Sequence, residues 1–197
     1  MKFGFVLIIL LSLAFEGCSS GGGGPVAKTA AQLTVEGWQA YSTKSYPAAL
    51  DKFTSALQID GNFVDALNGS GWANAKLGNL AAARSALDAG NTKDPANLQI
   101  KAGLAFTAGV QKDYSSSILF ANEVLASDSS WSFSRDLSIS APDVHLLLAA
   151  DYFAQGNFDL SLAQVQSIDD RSFSVNWSTA SGQGALALEI ERLRTRV

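Results

Sequence analysis

The sequence repeats itself at a spacing of 34 residues. The tripeptide Glu-Gly-Trp at 36–38 returns 34 positions later as Ser-Gly-Trp at 70–72, and one further step places Phe106 where the tryptophans stand. The same step relates other large and acidic positions: Tyr46, Leu80 and Tyr114, and Asp60, Asp94 and Asp128. A fixed register of this period is the signature of a helical repeat array. We therefore expect stacked helix pairs that offer a surface for partners and seldom carry out chemistry.

The helices of this array can be placed from local signals. From Ala30 onward, apolar residues recur at spacings of three and four, which predicts amphipathic helices. Pro47 suits a helix start, and Gly78 and Gly156 suit turns that need a left-handed conformation. The predicted helices span about 28–44, 47–59, 63–77, 80–91, 96–110, 114–127, 142–155, 158–167 and 179–196.

These residues resemble the tetratricopeptide repeat, a helix–turn–helix of 34 residues. Two units place small, aromatic and acidic residues at that family's positions: Leu33, Gly37, Tyr46, Ala49, Phe53, Ala56, Leu57 and Asp60, then Leu67, Gly71, Gly78, Leu80, Ala83, Leu87, Asp94 and Pro95. The resemblance covers about half of the chain. It implies an all-α, right-handed superhelical solenoid of antiparallel helix pairs with a C-terminal capping helix. The units would span about 30–61, 64–95, 98–129 and 142–170, and the cap 179–196.

The fourth unit is displaced by ten residues, because Phe158 follows Tyr114 by 44 positions and not by 34. The extra residues lie near 129–141 and begin with Trp131-Ser132-Phe133-Ser134. A second interruption, at 171–178, alternates large and small residues in the same way. This alternation is typical of strands. We hypothesise that both segments are extended and dock their aromatic residues on the fourth helix pair; ordinary loops with chance alternation are the alternative.

The N-terminus carries export features. Residues 1–17 contain an apolar run that is too short for a membrane span of about 20 residues, and they are typical of a signal peptide. Gly17-Cys18-Ser19, followed by glycines, resembles the lipobox of bacterial lipoproteins. That resemblance implies a lipid on Cys18, a flexible tether over 18–27, and sorting toward the periplasmic face of an outer membrane. Cleavage nearby that leaves a free thiol is the alternative.

Charge and composition exclude several classes of function. Removal of Lys2 and Glu16 with the signal peptide would leave 13 basic and 17 acidic residues, a net charge of −4, so nucleic acid is a poor partner. His145 is the single histidine and Cys18 the single cysteine. The chain therefore offers no second histidine as a base beside a nucleophile, and no cluster of cysteine and histidine ligands for zinc. We therefore predict no enzymatic activity, no metal and no cofactor.

The resemblance also implies which residues face a partner. In that family the first helix of each pair lines the concave face. Seven residues would then form a groove for a protein or peptide partner: Trp38, Tyr41, Asp65, Asn68, Trp72, Lys76 and Phe106. An aromatic stripe at repeat spacing can equally be packing between repeats, and the two interpretations overlap. The expected function is a lipid-anchored envelope scaffold; a periplasmic solute-binding protein is the alternative, which would require an enclosed cavity.

Overall fold

The computed structural model describes residues 27–169 and 173–196. Within them the chain is helical: α1 (Ala30–Ser42), α2 (Tyr46–Ile59), α3 (Val64–Lys76), α4 (Leu80–Lys93), α5 (Leu98–Val110), α6 (Tyr114–Ser127), α7 (Ala141–Ala154), α8 (Phe158–Ile168) and α9 (Ala180–Arg194). Every helix begins and ends within two residues of its predicted bounds, and the all-α fold class is confirmed. The predicted signal peptide, Cys18 and the tether up to residue 26 lie outside the described residues.

The helices stack as pairs in two layers. Within each pair, α1 packs on α2, α3 on α4, α5 on α6 and α7 on α8, and the second helix of each pair also packs on the first helix of the next. The first helices contact one another in the order α1, α3, α5, α7 and form the inner layer. Helix α9 packs on α7 and α8 and is therefore the predicted cap.

Close approach within the pairs depends on small residues. A Cβ atom on Gly37 would lie 2.5 Å from the Phe53 ring, and one on Gly71 would lie 2.4 Å from Leu87. Phe53 and Leu87 are completely buried, so neither can move aside into solvent. These glycines therefore let the two helices of a pair approach closely.

Each pair turns on a left-handed residue at the same register. Gly78 and Gly156 both have φ of 78°, in the turns that the sequence predicted. Lys44 and Lys112, at the corresponding positions of the first and third pairs, have φ of 60° and 62°. The backbone requirement is thus the same in all four pairs, although two of them meet it without glycine.

The core of the described residues falls into one long cluster and two smaller ones, one at the C-terminal end and one around Ala30, Ala56 and Ala66. The long cluster connects the inner layer from Trp38 to Leu148. The C-terminal cluster joins α7 and α8 to the cap through Leu186, Ile190 and Leu193 of α9. No helix in residues 27–169 and 173–196 has the combination of length and apolar character needed to cross a membrane.

Candidate functional site

The inner layer places the three aromatic residues of the predicted stripe one after another along one surface. Trp38 lies on α1, Trp72 on α3 and Phe106 on α5. The Trp72 and Phe106 rings are 6.2 Å apart at 55°. Trp38 and Trp72 are 4% and 3% exposed, whereas Phe106 is only partly buried.

Both tryptophans connect neighbouring repeats. The Trp38 indole Nε1 donates to Asp65 Oδ1 at 2.9 Å, and the Trp72 Nε1 donates to the Gln99 backbone oxygen at 3.1 Å. Each acceptor lies in the first turn of the next inner helix, 27 residues after its tryptophan. The interpretation of the stripe as packing between repeats therefore holds for these two rings. Their role toward a partner stays a prediction.

The segment between α6 and α7, residues 128–140, folds back into the concave surface. It is a closed hairpin: the Phe133 amide donates to the Ile139 oxygen at 2.8 Å, and the Ala141 amide donates to the Trp131 oxygen at 2.7 Å. One isolated antiparallel bridge, between Ser132 and Ser140, stands at its base. We call residues 128–140 the α6–α7 segment, and residues 133–139 its tip.

Phe133 of the tip is inserted among the aromatic residues of the first two repeats. Its ring stacks on Trp72, with centroids 4.3 Å apart and planes at 19°. It meets Trp38 and Tyr41 edge-on at 6.0 and 6.1 Å. Phe133 has no exposed surface, and Tyr41 is 2% exposed. The tip is thus what closes the aromatic part of the groove.

Polar contacts surround this aromatic centre. Gln99 Nε2 donates to Ser134 Oγ at 2.7 Å. The Arg135 guanidinium lies 4.9 Å above the Trp38 ring and 3.6 Å from Asp65 Oδ2. Lys76 Nζ lies 3.6 Å from Asp136 Oδ2. Both ion pairs are partly solvated, so each contributes little to stability.

The seven predicted groove residues are therefore gathered in one place. Five contact the tip directly: Trp38, Tyr41, Asp65, Trp72 and Lys76. Asn68 reaches it through Gln99, whose Oε1 accepts from Asn68 Nδ2 at 3.3 Å, and Phe106 reaches it through Trp72. The sequence analysis did not recognise that Phe133, Arg135 and Asp136 of the tip belong to this site. The alternation at 131–134 was the available signal.

The hypothesis about the two interruptions needs correction. The α6–α7 segment is a hairpin loop with one bridge and no strand. Trp131 is 3% exposed and lies in the same core cluster as Val144 and Leu148 of the fourth pair, but the Phe133 ring packs on the aromatic residues of repeats one and two. The reason is that the segment leads into α7, an inner helix, and so enters on the concave side. In the second interruption no strand forms in 173–178, and Trp177 is 41% exposed. Phe173 and Val175 do pack on the cluster of α7, α8 and α9; residues 171 and 172 lie outside the described residues.

Electrostatics favours a charged Asp136 beside a neutral Tyr41. Burial opposes ionisation of Asp136, but hydrogen bonds from Ser138 and the Lys76 ammonium outweigh it and lower the pKa of this carboxyl. Burial raises the pKa of Tyr41, and the Asp136 charge acts in the same direction. The Tyr41 hydroxyl is buried and has no hydrogen-bond partner among the described residues.

A cleft of about 280 Å³ remains open beside the tip. Its lining is mainly apolar: Trp72, Ala75, Lys76, Leu80, Phe106, Thr107, Val110, Ile139 and Asp143. Lys76 and Asp143 provide one charge of each sign. The volume is at the lower end for small-molecule sites, which typically start at about 300 Å³. An apolar side chain of a partner would fit such a cleft.

A second depression, of about 460 Å³, lies near the C-terminal end and is lined in part by Ser138, Asp169 and Arg196. Asp169 Oδ2 accepts from Arg192 and from Arg196, each at 3.0 Å. Asp169 and Arg196 are already paired with each other and join the cap to the end of α8, and Asp143 of the same lining accepts from the Ser140 amide and hydroxyl. The cleft in the groove is therefore the better candidate for a partner.

Residues that could perform chemistry are few within the described part of the chain. His145 Nδ1 lies 2.7 Å from Gln164 Oε1, so this histidine is hydrogen-bonded between α7 and α8. No group of three or more potential metal ligands occurs in residues 27–169 and 173–196. Asp151, which sequence analysis did not single out, is 3% exposed, and burial raises its pKa to about 6 against the opposing effect of the Ser117 hydroxyl.

Stacked helix pairs, an inner layer of first helices and a C-terminal cap define a tetratricopeptide-like solenoid. Solved structures share this fold. MamA from Desulfovibrio magneticus RS-1 is 13% identical with a TM-score of 0.65, over 86% of this chain and 95% of that one. MamA of MSR-1 is 13% identical with a TM-score of 0.65, over 85% and 97%. MamA of AMB-1 is 14% identical with a TM-score of 0.61, over 85% and 81%.

At these identities the likeness shows the fold alone. No family model matches the chain, and no curated protein matches it.

Proposed function

We propose that this chain is a protein-binding scaffold that is anchored to a bacterial envelope membrane through Cys18 and grips a peptide or helix of another protein. The observation that carries the proposal is the open apolar cleft on the concave surface, between Trp72 and Phe106. Phe106, which is only partly buried, provides the aromatic surface of this cleft, and aromatic residues are enriched in protein interfaces. Lys76 at this cleft, whose ion pair with Asp136 is partly solvated, would offer a positive charge to the incoming chain.

Exposed apolar residues at the cleft support a macromolecular partner. Val110, the last residue of α5, is 65% exposed and lies on the lining. Leu80, at the start of α4, is partly exposed on the same lining. A partner that covered both would remove apolar surface from water, which is the main driving term of association. The interface would lie in the second and third repeats.

The anchor rests on the sequence around Cys18. A lipid on this cysteine would leave 11 residues, 19–29, before α1 begins at Ala30. A Gly/Ser-rich chain of that length has a root-mean-square reach of roughly 20 Å. The solenoid would therefore stay close to the membrane surface and could still rotate to meet a membrane-associated partner.

Photo-crosslinking tests the groove. A photoreactive residue in place of Val110, in cells that carry the full chain, should capture a discrete protein that mass spectrometry can identify. The matched control is Leu119, which is 55% exposed on α6 of the outer layer. Capture from Val110 alone supports the groove. Equal capture from both positions, or capture of a metabolite in place of a protein, would reject it.

Substitution of Cys18 tests the anchor separately. Cys18→Ser should abolish incorporation of radiolabelled palmitate and move the chain from the membrane fraction to the soluble fraction. Ser20→Ala, two positions further on, is the control and should leave both readouts unchanged. Persistence of Cys18→Ser in the membrane fraction would contradict a lipid anchor at this residue.

A further inference from the structure

The tip is held in the groove in the manner of a bound peptide. Every hydrogen bond between backbone atoms that involves residues 129–139 of the described chain stays within 128–141. The tip meets repeats one to three through side chains: the Phe133 ring, the Ser134 hydroxyl, the Arg135 guanidinium and the Asp136 carboxylate. Withdrawal of the tip would therefore leave its own backbone bonds intact.

These contacts show which type of side chain the groove accepts at each position of the tip. The groove takes an aromatic ring between Trp72, Trp38 and Tyr41. Two positions later it takes a guanidinium, which stacks on Trp38 and faces Asp65. The next position supplies an acid for Lys76. The repeats thus carry an opposite charge for each charge of the tip, which matches the order aromatic–polar–basic–acidic.

We propose that the tip is an internal occupant of the groove, and that the partner carries a peptide with an aromatic residue followed two positions later by an arginine, which takes the tip's place. This inference rests on the proposed function and names its ligand. The partner peptide would restore the ring stacking and the guanidinium contacts that the tip gives up. Withdrawal of the tip would also remove Ile139, one wall of the cleft, so the peptide could extend along the remaining lining beside Phe106.

The geometry provides a hinge for the exchange. The bonds that close the tip are those of Phe133 with Ile139 and Asp136, and they would move with it as one unit. Trp131, 3% exposed, stays at the base, where its oxygen accepts from the Ala141 amide. The Ser132–Ser140 bridge lies between these two parts. Movement about this bridge would empty the groove without disturbing a helix.

An internal occupant lowers the apparent affinity for the partner. The apparent dissociation constant rises in inverse proportion to the fraction of molecules with an empty groove. If the tip is withdrawn in about one molecule in a hundred, binding is about 100-fold weaker than to an emptied groove. A variant that empties the groove should recover that factor.

A peptide in trans tests the inference. The probe is a fluorescein-labelled synthetic peptide with the sequence of residues 129–140, and the readout is fluorescence anisotropy. The emptied chain is Phe133→Ser with Arg135→Ser, whose fold is checked by circular dichroism. We expect the peptide to bind the emptied chain at least about tenfold more tightly than the unaltered chain. A peptide with serine at the position of Phe133 should not bind.

Two results would overturn the inference. One is no binding to an emptied chain that retains its helical spectrum. The other is equal binding to the emptied and unaltered chains, which would place the peptide outside the groove.

A milder variant covers the case in which the emptied chain does not fold. Arg135→Ala with Asp136→Ala removes the two solvated ion pairs of the tip, the contact of the guanidinium with the Trp38 ring and the hydrogen bonds from Ser138 to Asp136, and it leaves Phe133 in place. This variant should bind the peptide at least about threefold more tightly than the unaltered chain does. Unchanged affinity would contradict the inference. This result is independent of the Val110 crosslink: peptide binding without a captured protein would reject the scaffold role alone, and capture without peptide binding would reject the internal occupant alone.

Discussion

Asp151→Asn is the substitution whose effect can best be worked out from the structure. Asp151 lies on α7 against the third repeat: its Oδ2 atom is 3.6 Å from the position that a Cβ on Gly109 would occupy. That oxygen is buried and has no hydrogen-bond partner among the described residues. Burial raises the pKa of Asp151 from 3.8 to about 6. Near neutral pH the folded state therefore holds an ionised carboxyl at an unfavourable site.

The sign of the pH dependence of stability follows from proton linkage. Between pH 4 and 6 the folded state binds more protons than the unfolded state, so the free energy of unfolding falls as the pH rises. Above pH 6 the loss is complete and amounts to roughly 3 kcal/mol, since a tenfold change in an ionisation equilibrium corresponds to about 1.4 kcal/mol. Asparagine removes this loss but leaves an unpaired amide, which costs about 1 kcal/mol. We expect a net gain of about 1–2 kcal/mol at pH 8.

Urea unfolding monitored by circular dichroism, at several pH values from 4 to 8, measures this effect. Asp151→Asn should be more stable than the unaltered chain at pH 8, and the advantage should disappear below pH 5. The control is Asp51→Asn on the exposed face of α2, which should change stability by no more than about 0.5 kcal/mol. Parallel pH profiles of Asp151→Asn and the unaltered chain would refute the reasoning.

Two further substitutions test packing, both by urea unfolding. Phe133→Ala should lower the free energy of unfolding by about 2–3 kcal/mol, because the ring is completely buried but withdrawal of the tip limits the loss, whereas Leu137→Ala, 77% exposed, should change it by under about 0.5 kcal/mol; similar effects would place the ring outside the core. Gly71→Ala should destabilise by about 1–2 kcal/mol through contact with Leu87, whereas Gly184→Ala, with open space around it, should stabilise by up to about 1 kcal/mol. Stabilisation by both alanines would contradict the close approach of α3 and α4.

The helices could be predicted because their signals are local. Pro47 near the start of α2 and Gly78 in the turn after α3 act within one or two residues of their own position. The 34-residue register then fixed which helices pair, because each small residue has to face a large one in its partner. Gly71 against Leu87 is such a contact, and both residues stand at repeat positions.

The groove could be predicted only in part. The register correctly placed Trp38 and Trp72 on the inner layer, since a position within the repeat determines which way a side chain faces. It left open whether these two rings pack between repeats or face a partner, and so did not decide their burial. That depends on Phe133, which lies 61 residues beyond Trp72 in the chain and outside the repeat pattern. The alternation at 131–134 indicates one buried and one exposed side, but it does not name the surface that covers the buried side.

The burial of Asp151 could not be predicted from the sequence either. In the sequence it is an acid between alanines and aromatic residues, in the second half of a helix. Its raised pKa results from the third repeat packing over it. The desolvation of a carboxyl depends on all the atoms around it, and those atoms come from α5 and α6 as well as α7.

The sequence by itself thus determined the helices, their pairing and the direction in which each repeat position faces, because these depend on residues at most one repeat apart. The tertiary structure decided what fills the groove and which acid is buried. These features depend on an irregular insertion and on contacts between separate repeats, and the distance between such residues in space is not encoded in the period of the repeat.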